Sequence, residues 1–325
     1  MRTHRWLMLL MLVVAALALA ACGDDDEDEG GSGGTTTEET ASSGIQKDDA
    51  NASTSITVGS KNFTEQKVLG EIYAQALAAA GYKVDTQLNL GDEKTALKAI
   101  EGGDIDAYPE YTGTALLSFF GAKADALPKD PHQAYEQAKE GFAEKNLTAF
   151  PPTPFTSSNE VAVTKETADK YGLTKISDLA KVDDKLTLYG SPECRQRLDC
   201  LLGLEQVYGL KFKKFTSVDI ALRHEVLTKG QADVSIVFTT DPQIKREGEV
   251  LLEDDKGMFP PYNSTLVVRN DIAEKGGAEL EDVVTKVNEG LTDEAMQELN
   301  ARVDLDKKTP EQVAGEYLSE TGLVQ

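Results

Sequence analysis

Histidine is nearly absent: there are three in 325 residues, at His4, His132 and His224. A Ser-His-Asp relay or a histidine-rich metal centre has little to be built from. The signatures G-x-S-x-G, the Walker loop and H-E-x-x-H are missing as well. Acidic pairs such as Asp254-Asp255 read as solvated surface, and Gly91-Asp-Glu-Lys94 reads as a helix entry without phosphate-loop spacing. No catalytic residue, metal or cofactor is therefore expected. Positive charge is scarce too, with 33 Lys and Arg against 56 Asp and Glu and a formal net charge of −23. That balance excludes nucleic acid, which needs clustered basic side chains, and electrostatic docking on anionic lipid. Beyond residue 21 no apolar run is long enough to span a bilayer, so the chain is not expected to be a channel or permease itself.

The N-terminus is rich in what the rest lacks. Arg2 and Arg5 precede an apolar run from Leu7 to Ala21, too short for a comfortable span, and the pattern reads as a signal peptide over residues 1–21. It ends in Leu19-Ala-Ala-Cys22, which resembles the lipobox of bacterial lipoproteins and implies cleavage before Cys22 and acylation of its thiol. Residues 22–53 then hold Gly, Ser, Thr and acids with almost no large apolar side chain, the composition of a lipidated, disordered tether. Two cysteines remain. Cys194 and Cys200 lie in a chain expected to be exported, so a local disulfide is the expectation over a metal pair, because no histidine has ligand spacing to them.

From Ile56 onward the pattern alternates. A strand at 56–60 leads into a helix whose start, Asn62 with Glu65, resembles a capping box. Strand, helix and strand follow, reaching Asp104-Ile-Asp-Ala-Tyr-Pro-Glu-Tyr-Thr-Gly-Thr114. Such alternation predicts an α/β fold with parallel sheets covered by helices. The stretch recurs: Gly103, Asp106, Tyr111 and Thr112 match Gly230, Asp233, Phe238 and Thr239 in a later strand. Two similar lobes are expected, each offering an aromatic ring from a strand end to a shared cleft. The proline breaks at Pro151-Pro-Thr-Pro154 and Pro260-Pro-Tyr262 mark two crossings that form a hinge. The predicted lobes are residues 54–155 with 262–325, and residues 156–261.

The groups gathered at strand ends and crossings are Tyr108, Tyr111, Phe238, Tyr262, Thr112, Thr114, Lys61 and Arg197. Electron-rich ring faces attract a cation that has shed its water, and a quaternary ammonium suits them because it donates no hydrogen bond. A carboxylate on the same ligand would seek Arg197, Lys61 or a threonine hydroxyl. Buried aromatics in two ordinary cores are the plain alternative.

Ser60-Lys-Asn-Phe-Thr-Glu-Gln66, Gly103-Asp-Ile-Asp-Ala-Tyr-Pro-Glu-Tyr-Thr-Gly-Thr114, Thr239-Thr-Asp241 and Leu252-Glu-Asp-Asp-Lys-Gly-Met-Phe-Pro-Pro-Tyr262 together resemble the substrate-binding proteins of osmoprotectant importers. These are the glycine betaine, carnitine and choline receptors of ATP-driven uptake systems. The resemblance runs from about Ile56 to the C-terminus. It implies a type II periplasmic-binding-protein fold, with the ligand held in an aromatic cage between the lobes and passed to an ABC permease and its ATPase. Tyr111, Phe238 and Tyr262 fall on cage positions, with Thr112 beside them, and Lys61, Thr114 and Arg197 fall where the ligand carboxylate is bound. Asn159 stands where the family carries a fourth cage tyrosine. Tyr108 reads as core. A monomer, lipid-anchored on the outer face of the cytoplasmic membrane, is the implied state. The competing readings are a receptor for a different small amine or zwitterion, a secreted enzyme acting on such a compound, and an extracellular sensor.

Overall fold

The computed structural model describes residues 44–123, 126–217 and 219–324. The signal peptide, Cys22 and most of the tether lie outside the described residues. Among those described, no helix is long and apolar enough to cross a membrane.

Among the described residues, ten strands form two five-stranded sheets. β1 (Ser55–Gly59), β2 (Lys83–Gln87), β3 (Ala107–Tyr111), β4 (Leu147–Ala149) and β10 (Ser264–Arg269) make the first, in the order β2-β1-β3-β10-β4. β5 (Asn159–Thr164), β6 (Thr187–Gly190), β7 (Lys214–Ser217), β8 (Val234–Phe238) and β9 (Glu249–Leu252) make the second, in the order β7-β6-β8-β5-β9. The two orders are the same arrangement met twice. Helices α1 (Thr64–Ala79), α2 (Glu93–Gly102), α3 (Thr112–Ser118) and α4 (Pro131–Ala143) cover the first sheet. The second sheet is accompanied by α5 (Lys165–Tyr171), α6 (Leu201–Gln206), α7 (Glu225–Thr228) and α8 (Gln243–Glu247). The chain then returns: β10 enters the first sheet, and α9 (Asn270–Glu289), α10 (Asp293–Asp304) and α11 (Pro310–Glu320) share a core with α1.

The sheets are mixed where wholly parallel ones were expected. β1 is parallel to β2 and β3, and β6 is parallel to β7 and β8, but β10 and β5 run antiparallel to both neighbours. The reason is the crossings. β5 begins just after residues 155–158 and β10 just after residues 259–263, so each starts at the end of its sheet where β3 and β8 finish. The crossings bond to each other, with Thr156 bridging Asn263 and Ser157 N–H donating to Tyr262 O at 3.1 Å.

The internal repeat is physical. Asp106 Oδ2 accepts the Thr57 N–H of neighbouring β1 at 2.9 Å, and Asp233 Oδ2 accepts the Thr187 N–H of neighbouring β6 at 2.7 Å. Gly103 (φ 78°) and Gly230 (φ 63°) both take the left-handed conformation that a side chain would strain. Each pair thus ties one strand to its parallel neighbour and sets where its last residue, Tyr111 or Phe238, emerges.

Some local expectations fail. The Asn62–Glu65 capping box does not form: α1 starts at Thr64 with Phe63 as an unassisted N-cap, and Glu65 turns inward. The helix expected over residues 198–208 shortens to α6, because a 3₁₀ turn at Pro192–Gln196 and a Cys194–Cys200 disulfide occupy the preceding chain. β4, β9 and α8 were not anticipated. They are short, and a three- or four-residue edge strand carries little periodic signal.

Candidate functional site

A cleft between the two sheets encloses about 730 Å³ of atom-free space, part of it continuous with solvent. Five aromatic residues line it: Phe63, Tyr111, Tyr189, Phe238 and Tyr262. Tyr111 ends β3, Tyr189 lies next to the end of β6, and Phe238 ends β8. Phe63 precedes α1 and Tyr262 sits on the second crossing. Three of the rings form a connected group, with Phe63 and Tyr111 centroids 6.3 Å apart and Phe63 and Phe238 centroids 5.3 Å apart. Gly113 makes room for this. A Cβ there would come within 2.8 Å of Tyr262 Cε1 and of the Pro261 carbonyl oxygen, so only glycine lets the crossing lie against α3.

Tyr111, Tyr262 and Phe238 are each held by polar contacts behind them. Tyr111 Oη donates to Glu65 Oε1 at 2.6 Å, and Asn300 Nδ2 donates to Glu65 Oε2 at 2.9 Å. Burial raises the pKa of Glu65 and, with Glu65 adding to it, pushes the Tyr111 hydroxyl well above its ordinary value. Tyr262 Oη donates to Asp199 Oδ2 at 2.6 Å, and burial followed by Asp199 raises it likewise. Phe238 N–H donates to Asp241 Oδ2 at 2.8 Å, and the Arg223 guanidinium lies 4.9 Å from the Phe238 ring centre. Asn300 Nδ2 also reaches the Thr240 carbonyl at 3.2 Å, so the bonds behind Tyr111 continue into the turn after β8.

The two expected anion-binding cations are present but already engaged. Lys61 is buried, ion-paired with Glu110, and its Nζ lies 4.6 Å from the Tyr111 ring centre. Burial lowers its pKa, against the pull of Glu110. Arg197 donates to Asp199 through Nε at 2.8 Å and Nη2 at 2.6 Å, and its Nη1 lies 3.2 Å from Glu93 Oε2. Burial works to lower Arg197, and the two carboxylates overcome it, leaving it well above its ordinary value. Asp199 is shifted down: burial opposes this and Arg197 outweighs it.

The disulfide holds this corner. Cys194 and Cys200 have Cα atoms 5.1 Å apart, and Arg197 between them bonds through its backbone to Cys194 O and Cys200 N–H. Gly190 permits the approach, since a Cβ there would meet Cys194 Sγ at 2.5 Å.

Of the residues the sequence singled out, Lys61, Tyr111, Thr114, Asn159, Arg197, Phe238 and Tyr262 come together on the cleft wall. Thr112 does not: its hydroxyl donates to the Pro261 carbonyl at 3.1 Å and ties α3 to the crossing. Asn159 is buried, opposite Phe238 in register, and its Nδ2 donates to Asp199 O at 3.1 Å. Tyr108 is fully buried and bonds Glu110 at 3.2 Å. Phe63, Tyr189 and Glu93 were missed. The strand-end rule that found Tyr111 and Phe238 would also have found Tyr189, and Phe63 lay inside a quoted motif. No group of three or more metal-ligating side chains occurs among the described residues.

The family described as the substrate binding domain of ABC-type glycine betaine transport system matches residues 54–320. A glycine-betaine-binding protein of Pseudomonas aeruginosa is 33% identical over 288 residues, 85% of this chain and 90% of that protein. The carnitine transport binding protein OpuCC of Listeria monocytogenes is 32% identical over 272 residues, 82% of this chain and 87% of that one. Among solved structures, a glycine betaine/carnitine/choline ABC transporter protein is 29% identical with a TM-score of 0.65, covering 82% of this chain and 99% of that chain.

Proposed function

Because the chain belongs to the family of substrate-binding domains of ABC-type glycine betaine transport systems, we propose that it captures a trimethylammonium compound in the cleft and delivers it to a membrane permease driven by an ATPase. One observation carries the reading of the site: five aromatic side chains from both halves of the molecule converge on one cavity. Each ring face in contact with a cation contributes roughly 0.5–2 kcal/mol, and several together suffice for selective capture. Residues 54–155 with 262–325 act as one lobe and 156–261 as the other, closing on the ligand about the paired crossings.

Release without chemistry fits the groups present. His224 does not line the cavity; its ring nitrogens bond Asp241 at 2.9 Å and Glu249 at 2.9 Å, so it is placed as support and not as a base beside a ligand. The test is titration calorimetry of the purified chain with choline, glycine betaine, carnitine and proline, with each ligand recovered afterwards. Trimethylammonium compounds should bind and return unchanged, and proline should bind far more weakly. Binding of proline alone, or a chemically altered ligand, would contradict the reading.

We also propose that acylated Cys22 anchors the protein to the outer face of the cytoplasmic membrane through the acidic tether, as a monomer. Cys22→Ser should shift the protein from the membrane fraction to the soluble fraction, or leave the signal peptide uncleaved, with ligand affinity unchanged. Normal processing together with full membrane retention would refute the anchor.

A further inference from the structure

We propose that Glu93 sets the ligand preference of the cleft, accepting a hydrogen bond from the ligand so that a quaternary ammonium ending in an uncharged donor is favoured over one ending in a carboxylate. This rests on the reading of the cleft as a trimethylammonium site.

Glu93 is the first residue of α2 and lines the cavity with a relative exposure of 3%. Its Oε2 lies 3.2 Å from Arg197 Nη1. Its Oε1 is buried and has no hydrogen-bond partner among the described residues. A buried carboxylate oxygen without a donor is costly, and a hydroxyl, amide or amine on the ligand would remove that cost.

The charges around it point the same way. Both cations on the cavity wall are committed, Lys61 to Glu110 and Arg197 to Asp199 in a two-pronged pair. Glu93, Asp92 and Glu193 also line the cavity, so carboxylates outnumber cations there. A ligand carboxylate would have to displace Glu110 from Lys61 or Asp199 from Arg197, or sit beside Glu93, and like charges at that range repel. A cation with a hydroxyl meets neither obstacle. Sites built to bond a ligand donor discriminate strongly against analogues that lack it, because the protein group is left unpaired.

Titration calorimetry on the full chain tests this with choline, glycine betaine and tetramethylammonium as probes, against wild type, Glu93→Gln, Glu93→Asp and Tyr262→Ala. Wild type should bind choline about tenfold or more tightly than glycine betaine. Glu93→Gln keeps the shape, loses the charge and offers an amide donor. It should weaken choline about tenfold, hold or strengthen glycine betaine, and change tetramethylammonium less than choline. Glu93→Asp, retaining charge but not reach, should weaken choline while leaving it preferred over betaine. Tyr262→Ala should weaken all three ligands by similar factors. A wild type that prefers glycine betaine, or a Glu93→Gln effect equal on choline and betaine, overturns the role of Glu93 while the cage stands. Failure of all three probes to bind wild type overturns the trimethylammonium site, and Glu93 with it.

Discussion

Replacing Tyr262 with alanine is expected to weaken a trimethylammonium ligand about thirtyfold or more. The ring is 2% exposed and lies on the cavity wall, so its loss removes a cation–π contact of ~1–2 kcal/mol and the apolar contact area beneath it. The hydroxyl adds a second effect. It donates to Asp199 Oδ2, the oxygen that also accepts from Arg197 Nη2, and alanine leaves that buried carboxylate one donor short. Tyr262→Phe separates the two effects. It keeps the ring and should retain most of the affinity, and any loss reports the bond to Asp199. Alanine and phenylalanine variants with the same affinity would mean that the ring does not meet the ligand.

Asp241→Asn, in the turn after β8, should cost about 3–5 kcal/mol of stability, because it strips the carboxylate from a buried ion pair. Arg223 donates to Asp241 through Nη2 at 2.6 Å and Nε at 2.7 Å, and Phe238 N–H and His224 Nε2 meet the same carboxylate. All three charged residues are buried. The unfolding midpoint should fall by roughly 10 °C. Affinity should fall with it, since the carboxylate that accepts the Phe238 backbone N–H and holds the Arg223 guanidinium beside the Phe238 ring is lost.

The same cluster gives a pH signature. In Asp241, burial acts to raise the pKa and Arg223 outweighs it, so the folded value lies well below the ordinary 3.8. Its stabilisation is present above pH 3.8 and is lost as pH falls toward the folded value. In His224, burial acts to lower the pKa, and Asp241 and Glu249 outweigh it, so the folded value lies above 6.5. That contribution is complete below pH 6.5 and is lost as pH rises through the folded value. Asp241→Asn removes one partner of His224, so the alkaline decline in unfolding free energy should become shallower. An unchanged decline would show that His224 does not draw on Asp241.

Much of this site is legible along the chain because the two halves use one local device twice. Asp106 and Asp233, Gly103 and Gly230, and the rings at Tyr111 and Phe238 recur at fixed spacing; the aspartates bond a neighbouring strand and the glycines take the left-handed conformation before it. What stayed hidden depends on partners far away in sequence. The run Gly91-Asp-Glu-Lys94 looks like a helix entry, and locally it is one, with Asp92 capping Thr95 N–H at 2.8 Å. Nothing nearby shows that Glu93 faces Arg197 across the cleft. That Glu110 and Asp199 hold Lys61 and Arg197 is equally invisible along the chain. The antiparallel strands β5 and β10 carry the alternation of their neighbours, and only the crossings dictate their direction.

The most direct test of a cation cage compares choline with 3,3-dimethylbutan-1-ol, which has the same shape with carbon in place of nitrogen and no charge. If Tyr111, Phe238, Tyr262 and their neighbours recognise a positive charge, choline should bind about a hundredfold or more tightly than the neutral alcohol in calorimetric titration. Comparable affinities would mean that the cleft selects only for shape and apolar surface, and the cage would be refuted.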